Sequence, residues 1–152
     1  MRVVILGCGR VGARLAMMLD QQGHQVSIID QRSDSFSRLD PNFRGQAIVG
    51  NGIDVDVLRQ AGIDDADAFA AVTNSDNTNA MAAQISKHIF RVDQAICRMY
   101  DPVRDETYRL LGLRTVCPTT AGAQRIKELL DDYVRRGVRR GQLSPGDVSA
   151  QS

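Results

Sequence analysis

Two kinds of hydrophobic pattern alternate along the chain. Short apolar runs predict six strands, at residues 2–6, 25–29, 46–49, 67–73, 94–99 and 114–117. Between them, apolar residues recur at helical spacing. This spacing predicts helices from residue 10 to Gly23 and at residues 33–39, 54–61, 75–90, 101–111 and about 119–136.

The regular alternation of strands and helices indicates an α/β fold with a parallel sheet. Apolar runs such as that in the strand of residues 2–6 are typical of parallel strands that are covered on both faces. Because crossovers between parallel strands are right-handed, few topologies remain. We predict a Rossmann-type, doubly wound parallel sheet of about six strands in the order 3-2-1-4-5-6, with helices on both faces.

Residues that favour helix starts support these boundaries. Ser75 or Asp76 can cap the helix of residues 75–90. Asp101 followed by Pro102 is typical of an N-cap and the first helical position. We expect the last helix to begin at Thr119 or Thr120.

The last helix carries an apolar stripe formed by Ile126, Leu129, Leu130, Tyr133 and Val134. We expect the stripe to pack against a second copy of the chain, with packing on the chain's own sheet as the alternative. No such periodicity continues beyond it, so we predict one domain over residues 1–136 and a mobile tail over residues 137–152.

Composition narrows the class of protein. Of the 152 residues, 43% are hydrophobic and 24% are charged, and the formal net charge is +1. No strong overall field therefore attracts the chain to nucleic acid or to an anionic membrane. No apolar run approaches the ~20 residues of a membrane span, and the first run breaks at Gly7, too early for a secretory signal. We expect a cytoplasmic protein without a nucleic-acid partner.

Cysteine and histidine usage agrees with that compartment. Cys8, Cys97 and Cys117 are far apart and form no C-x-x-C pair, which favours reduced thiols. His24 and His88 are distant from each other, and neither lies at the carboxyl end of a predicted strand. We therefore predict no metal site.

A glycine-rich motif follows the first predicted strand. It reads Gly7-Cys8-Gly9-Arg10-Val11-Gly12 and fits the G-x-G-x-x-G pattern of nucleotide-binding turns. Gly7 permits the tight turn, Gly9 lets a pyrophosphate approach the backbone, and Gly12 lets the helix pack close to the strand. Backbone amides at the positive end of the helix would then face the phosphates. The alternative is a tight turn without a ligand.

A carboxylate follows the second predicted strand. Asp30 lies 18 residues after Gly12, where a carboxylate can accept both ribose hydroxyls of an adenosine. The same charge would repel a 2′-phosphate, which disfavours NADP. Arg32 lies nearby, and we expect it to be solvent-exposed. The alternative for Asp30 is a surface turn.

Residues after the other strands are further candidates, because ligands of open α/β sheets lie beyond the carboxyl ends of strands. They are Asn51 and Gly52 after the third strand, Thr73 and Asn74 after the fourth, and Arg98 in the fifth. The asparagines offer donors and acceptors, and Arg98 offers a guanidinium to a phosphate or base. Each has an alternative interpretation as a turn or cap residue.

The lack of recognisable catalytic groups favours binding over catalysis. The sequence has no Tyr-x-x-x-Lys pair. Cys8 lies beside the expected phosphates, where a helix N-terminus can lower the pKa of a thiol, but no base is near it in sequence. We therefore predict a regulatory ligand-binding domain and not an enzyme.

Longer segments carry a family resemblance. They are RVVILGCGRVG, GHQVSIIDQ, IVGNGIDVDVLRQAGIDDADAFAAVTNSDNTN, ICRMYDP and YRLLGLRTVCPTT. Over about residues 1–130, the chain resembles the RCK N-terminal (TrkA-N) nucleotide-binding domains of bacterial Trk and Ktr potassium uptake systems. Members of that family usually carry a second, C-terminal ligand-binding domain, which this sequence does not include.

The resemblance implies a ligand and partners. Such domains bind NAD(H) or ATP/ADP and transmit the ligand state to a membrane-embedded potassium channel or transporter. They assemble as homodimers or larger rings at the inner face of the plasma membrane. The family's ligand positions correspond to Gly7, Cys8, Gly9, Arg10, Val11, Asp30, Asn51, Gly52, Thr73, Asn74 and Arg98.

The resemblance also gives Arg10 a specific role. In ATP-sensing relatives, an arginine at this position reaches the terminal phosphate held by the neighbouring subunit. The alternative is a solvent-exposed arginine in the first helical turn. For the whole chain, the alternatives are a fragment of an NAD-dependent oxidoreductase and a nucleotide or redox sensor without a transporter partner.

Overall fold

The computed structural model describes residues 1–137, so residues 138–152 of the predicted tail lie outside the described residues. The strands are β1 (Arg2–Leu6), β2 (Gln25–Asp30), β3 (Gln46–Val49), β4 (Ala68–Ala71), β5 (Gln94–Arg98) and β6 (Arg114–Val116). They form one parallel sheet in the order β3-β2-β1-β4-β5-β6, which confirms the predicted fold class and strand order.

Helical segments connect successive strands. The α-helices are α1 (Arg10–Gln21), α2 (Val55–Gln60), α3 (Asp76–His88), α4 (Pro102–Leu110) and α5 (Pro118–Arg135), and short 3₁₀ helices span Ser33–Arg38 and Ile63–Asp65. The helix predicted at residues 33–39 is therefore only a 3₁₀ helix. A local bond from the Ser37 hydroxyl to the Asp34 carbonyl competes there with regular helical bonding.

Several predicted boundaries shift by one or two residues, and two of these shifts have a local explanation. The fourth strand, predicted at residues 67–73, ends at Ala71, because the Thr73 amide donates to the Asn79 side chain and not to a neighbouring strand. The last helix begins at Pro118, one or two residues earlier than predicted. Proline suits that position because the first amides of a helix have no acceptor within it.

The predicted helix caps are present. The Ser75 hydroxyl accepts a hydrogen bond from the Thr78 amide at the start of α3. The Asp101 carboxylate accepts one from the Val103 amide at the start of α4, with Pro102 in the first helical position. The starts of α3 and α4, which precede and follow β5, therefore agree with the capping residues predicted from the sequence.

The sheet is covered on both faces. β1 lies between β2 and β4, and its side chains alternate between two hydrophobic clusters. Ile5 packs with Ala16 of α1 in one cluster. Leu6 packs with Leu58 of α2 and Ala83 of α3 in the other. Burial on both faces explains why residues 3–6 of β1 and the whole of β4 are apolar.

The chain divides into two compact units, Met1–Pro118 and a second that begins at Thr119. The second contains most of α5, whose apolar side chains are exposed: Ile126, Leu129, Leu130, Tyr133 and Val134. None of the helices in the described residues is both long and apolar enough to cross a lipid bilayer. Burial of the α5 stripe against a second copy and the domain boundary at residue 136 stay predictions.

Candidate functional site

A cleft of about 1010 Å³ opens at the carboxyl ends of the strands. It lies where β1 separates β2 from β4, the point at which the strand order reverses and open α/β sheets bind ligands. Most of the predicted site residues line it, namely Gly7, Gly9, Arg10, Val11, Asp30, Gly52, Thr73, Asn74 and Arg98. Cys8, Gly12 and Asn51 are not among the residues that line it.

Close backbone packing holds the glycine-rich turn. Gly7 has a φ of +102°, a conformation that residues with a side chain rarely adopt. A Cβ on Gly12 would lie 1.8 Å from the Gly7 carbonyl oxygen. Gly12 therefore lets the start of α1 rest directly on the turn, in agreement with the packing role expected from the motif, and it does not face the cleft.

Gly9 is different from these two glycines. Its φ is −79°, which any residue can adopt, and a Cβ there would meet no protein atom within 4 Å. Nothing in the described chain therefore requires glycine at this position. The open space beside the backbone fits a group that approaches from the cleft, such as a pyrophosphate.

The start of α1 has no capping side chain. Gly9 occupies its N-cap, whereas the side chains of Asp54, Ser75 and Asp101 cap α2, α3 and α4. Backbone hydrogen bonding of α1 begins with the Ala13 amide, which donates to the Gly9 carbonyl, and the amides of residues 9–12 have no described acceptor. These amides lie at the positive end of the helix dipole and suit an anion.

The Asp30 carboxylate connects β2 to the glycine-rich turn. Its Oδ2 accepts a hydrogen bond from the Cys8 amide at 2.7 Å. Its Oδ1 accepts from the Arg32 amide at 2.9 Å and from the Ser35 hydroxyl at 3.2 Å. Because a carboxylate has roughly four acceptor positions, Oδ2 can still accept a ligand hydroxyl. Asp30 thus lines the cleft as predicted and also organises the turn, which the sequence analysis did not foresee.

The structure changes the interpretation of Cys8. Its amide is directed at Asp30 and its side chain is fully buried, with Sγ 3.4 Å from the Ser35 carbonyl oxygen that accepts its proton. Burial, and then the charge of Asp30, raises the pKa of the thiol to about 11. This is opposite to the lowering expected at a helix N-terminus. Cys8 therefore fills space beneath the cleft and is not placed to contact a ligand.

The turn after β3 contributes less than predicted. Asn51 is exposed and outside the cleft, and its Oδ1 accepts a hydrogen bond from the Ile53 amide at 3.2 Å. This local bond uses the side chain in a turn. Gly52 does line the cleft, and a Cβ on it would lie 2.0 Å from Cδ1 of Leu6. A side chain at this position would therefore have to displace the Leu6 side chain at the end of β1.

A buried asparagine that the sequence analysis did not single out joins two walls of the cleft. Asn79 is 0% exposed. Its Oδ1 accepts from the amide and the hydroxyl of Thr73, at 2.9 and 2.7 Å. Its Nδ2 donates to the carbonyl oxygens of Thr73 and Arg98, at 3.0 and 2.9 Å. The one sequence signal was a polar residue of low helix propensity inside a predicted helix.

Arg98 is placed to receive an anion. Its Cζ lies 4.1 Å from the centroid of the Tyr100 ring, a distance at which the ring face attracts the cation. Its Nε is buried and has no hydrogen-bond partner. Burial lowers the pKa of the guanidinium, and the charge of Asp76 opposes that effect. A phosphate would supply the acceptor that this buried donor lacks.

The charges around the cleft favour an anionic ligand. Its charged lining residues are Arg10, Arg32, Arg38, Arg98, Asp30 and Asp34. Arg32 is exposed, as expected, and donates to Asp34 through Nε and Nη2 at 3.1 and 2.7 Å, which lowers the pKa of that carboxyl. Arg10 and Arg38 make no hydrogen bond or ion pair within the described chain. Positive charge is therefore available to a ligand.

Several lining residues were missed as candidates: Leu6, Gln31, Asp34, Ser35, Arg38, Val72, Thr78 and Tyr100. All of them lie at or shortly after the carboxyl end of β1, β2, β4 or β5. Proximity to a strand end was thus the signal that could have identified them. However, proximity to a strand end does not distinguish these lining residues from neighbours that face away from the cleft.

A second cavity, of about 490 Å³, lies at the amino ends of the strands and includes Arg2, Asp20 and Arg44. Its arginines are already paired. Arg2 contacts Asp65 at 3.3 Å, and Arg44 contacts Asp20 at 3.6 Å. The cleft at the carboxyl ends is therefore the stronger candidate, since Arg10 and Arg38 in its lining form no ion pair in the described chain.

Comparison with protein families identifies relatives of the chain. The family model described as TrkA-N domain matches residues 3–118. The chain is 50% identical over 116 residues to the Trk system potassium uptake protein TrkA of Streptomyces coelicolor, covering 76% of this chain and 52% of that protein. It is 35% identical over 108 residues to a TrkA homolog of Pyrococcus abyssi, covering 71% and 48%. The chain thus spans about half the length of these curated relatives.

Solved structures share the fold. The RCK domain of GsuK superposes with a TM-score of 0.71 at 25% identity, over 86% of this chain and 28% of that one. The TrkA-N domain of the inner membrane protein ybaL from Escherichia coli gives 0.75 at 17% identity, over 85% and 96%. GsuK has also been solved bound to ADP, with a TM-score of 0.65 at 22% identity, over 78% of this chain and 31% of that one.

Proposed function

The chain belongs to the TrkA-N domain family, and on this premise we propose that it is a nucleotide-sensing regulatory domain of a potassium uptake system. One observation carries the proposal: the cleft at the reversal of strand order combines an uncapped helix start with two arginines, Arg10 and Arg38, that form no hydrogen bond or ion pair in the described chain. That combination suits phosphate groups.

The ligand in this proposal is an adenine nucleotide, either NAD(H) or ATP/ADP. The residues fit such a group, because Gly9 leaves open space at the turn and the buried Nε of Arg98 lacks an acceptor. The amides at the start of α1 and the guanidinium of Arg98 would hold phosphates. The free acceptor position of Asp30 would hold a ribose hydroxyl.

The lining of the cleft supports a sensor more than an enzyme. In the described part of the chain, the residues that line it include no histidine, cysteine or lysine. Histidine is the most frequent general acid or base, and the carboxylates of the lining are already engaged, Asp30 with the Cys8 amide and Asp34 with Arg32. In this proposal the domain acts through the energy difference that a bound nucleotide creates between two conformations of an assembly.

The proposed partner is a membrane-embedded potassium channel or transporter, as the names of the relatives indicate for those proteins. The domain would act in the cytoplasm, at the inner face of the membrane, as a homodimer or larger ring. The exposed apolar stripe of α5 supports contact with a second copy, because such a stripe is typically covered. The modest net charge of +1 gives no support to a nucleic-acid partner.

Calorimetric titration of the purified chain tests the ligand class. We expect heat of binding from compounds that contain an adenosine diphosphate, and binding of NADP at least about tenfold weaker than that of NAD, because Asp30 repels a 2′-phosphate. Pyrophosphate without the nucleoside is the control ligand and should also bind weakly, since it lacks the ribose contact. If NAD, NADH, ADP and ATP all fail to bind at millimolar concentration, the proposal is wrong.

Arg10 is the residue we expect to register the number of phosphates. It lines the cleft and is unpaired. Arg10→Ala should weaken ATP binding by about tenfold and ADP binding much less, because a charge-assisted hydrogen bond is worth roughly 1.5–3 kcal/mol. Arg14→Ala is the matched control: it removes the same charge one helical turn later, at an exposed position outside the cleft. Equal losses for ATP and ADP would remove this role from Arg10.

A further inference from the structure

We propose that Asn79 is a positioning residue for the nucleotide cleft. It joins the segment at Thr73 to the backbone of Arg98, and so fixes the distance between the two walls of the cleft that these residues form. The inference rests on the proposed function, since it concerns the affinity of that site. Asn79 does not line the cleft itself. It acts through residues that do.

The hydrogen bonds of Asn79 are unusually complete. Both amide protons and the carbonyl oxygen are used, in four bonds of 2.7 to 3.0 Å. Three of these bonds go to Thr73 and the fourth goes to Arg98, 19 residues away. Because the side chain is fully buried, water cannot replace any partner that is lost. Small displacements of either wall are therefore resisted by the same group.

Neighbouring contacts extend this connection. Asp76 lies three residues before Asn79 on α3 and is also buried, with 8% exposure. Its Oδ1 accepts from the Tyr100 amide at 2.8 Å, and its Oδ2 accepts from the Asp101 amide at 3.1 Å. Residues three apart share one face of a helix. Through Asn79 and Asp76, the first turns of α3 thus hold the backbone at Arg98, Tyr100 and Asp101. They therefore fix the position of the Tyr100 ring against which Arg98 is stacked.

Helix capping does not explain the asparagine. The start of α3 is capped by Ser75, whose hydroxyl accepts from the Thr78 amide. The Asn79 side chain bonds to no group of its own helix, and its partners are the segment after β4 and the last residue of β5. A residue needed only for the helix would not require these partners. The geometry of Arg98 in the cleft is what the bonds control.

The test is Asn79→Asp, measured by calorimetric titration with ADP. A carboxylate keeps the acceptor for Thr73 but places an oxygen against the Thr73 and Arg98 carbonyl oxygens, which drives the two walls apart. We expect ADP affinity to fall about tenfold or more. Ser86→Ala is the matched control. Ser86 is equally buried on α3, and its hydroxyl donates only to the Ala82 carbonyl. Its removal should leave ADP affinity unchanged.

A double-mutant cycle separates positioning from general destabilisation. If Asn79 acts through Arg98, Asn79→Asp should reduce ADP affinity much less in an Arg98→Gln background than in the wild type. The same loss in both backgrounds, or wild-type affinity in Asn79→Asp, overturns the inference. If Asn79→Asp does not fold, the uncharged Asn79→Ser takes its place in the cycle. Absence of ADP binding by the wild type would instead contradict the proposed function.

Discussion

Gly12→Ala should lower the free energy of unfolding by about 3 kcal/mol or more. The added Cβ would lie 1.8 Å from the Gly7 carbonyl oxygen and 2.9 Å from its carbon. Both are backbone atoms, so no side-chain rotation can relieve the clash. Gly7 is itself held in a left-handed conformation, with a φ of +102°. The start of α1 must therefore move away from β1.

The change is large against a total stability of about 5–15 kcal/mol for a domain of this kind. Urea unfolding followed by circular dichroism measures it, and thermal unfolding gives an independent value. Gly9→Ala is the control within the same turn, because a Cβ there meets nothing within 4 Å. An unchanged urea midpoint for Gly12→Ala would show that α1 does not depend on this close approach.

Much of the fold follows from hydrophobic periodicity. Unbroken apolar runs such as residues 3–6 identify strands covered on both faces, and the handedness of crossovers then selects the strand order that the sheet shows. The ends of elements were predicted less well. β4 is shorter than its apolar run because Thr73 bonds to Asn79, a tertiary contact that no local pattern contains.

The candidate site, like the fold, was predicted only in part. Its location was predictable, because the carboxyl ends of parallel strands meet at one edge of the sheet. The direction of individual groups was not. The Cys8 amide belongs to the glycine-rich motif, yet it donates to Asp30, and Asn51 follows a strand, yet its side chain closes a turn outside the cleft. Each outcome depends on a competing hydrogen bond with a specific partner.

Asn79 illustrates what periodicity misses. Reading a helix by its apolar stripe treats polar residues as its exposed face, whereas this asparagine is fully buried. Its role depends on hydrogen-bond partners in two other segments, the carbonyl oxygens of Thr73 and Arg98. An isolated asparagine in the sequence gives no indication of such partners. Buried polar residues with complete hydrogen bonding are therefore recognised only from the structure.

Gly9→Ala should separate nucleotide binding from stability. The backbone at Gly9 already has a φ that alanine adopts freely, and the Cβ has open space. Alanine is a poorer N-cap than glycine by about 1 kcal/mol or less, while a less flexible unfolded chain returns about 0.4–1 kcal/mol. We expect the free energy of unfolding to stay within about 1 kcal/mol of the wild type.

The affinity for ADP should nevertheless fall on the order of a hundredfold. A methyl group beside the Gly9 backbone keeps the diphosphate away from the amides of α1, and each charge-assisted hydrogen bond that is lost is worth roughly 1.5–3 kcal/mol. Calorimetry with ADP and with adenosine measures the effect, since adenosine has no phosphate and should lose little affinity. A Gly9→Ala protein that binds ADP like the wild type would mean that the phosphates do not lie against this turn. Opposite outcomes at Gly9 and Gly12 would show that two glycines of one motif serve different physical needs, one for the ligand and one for the fold.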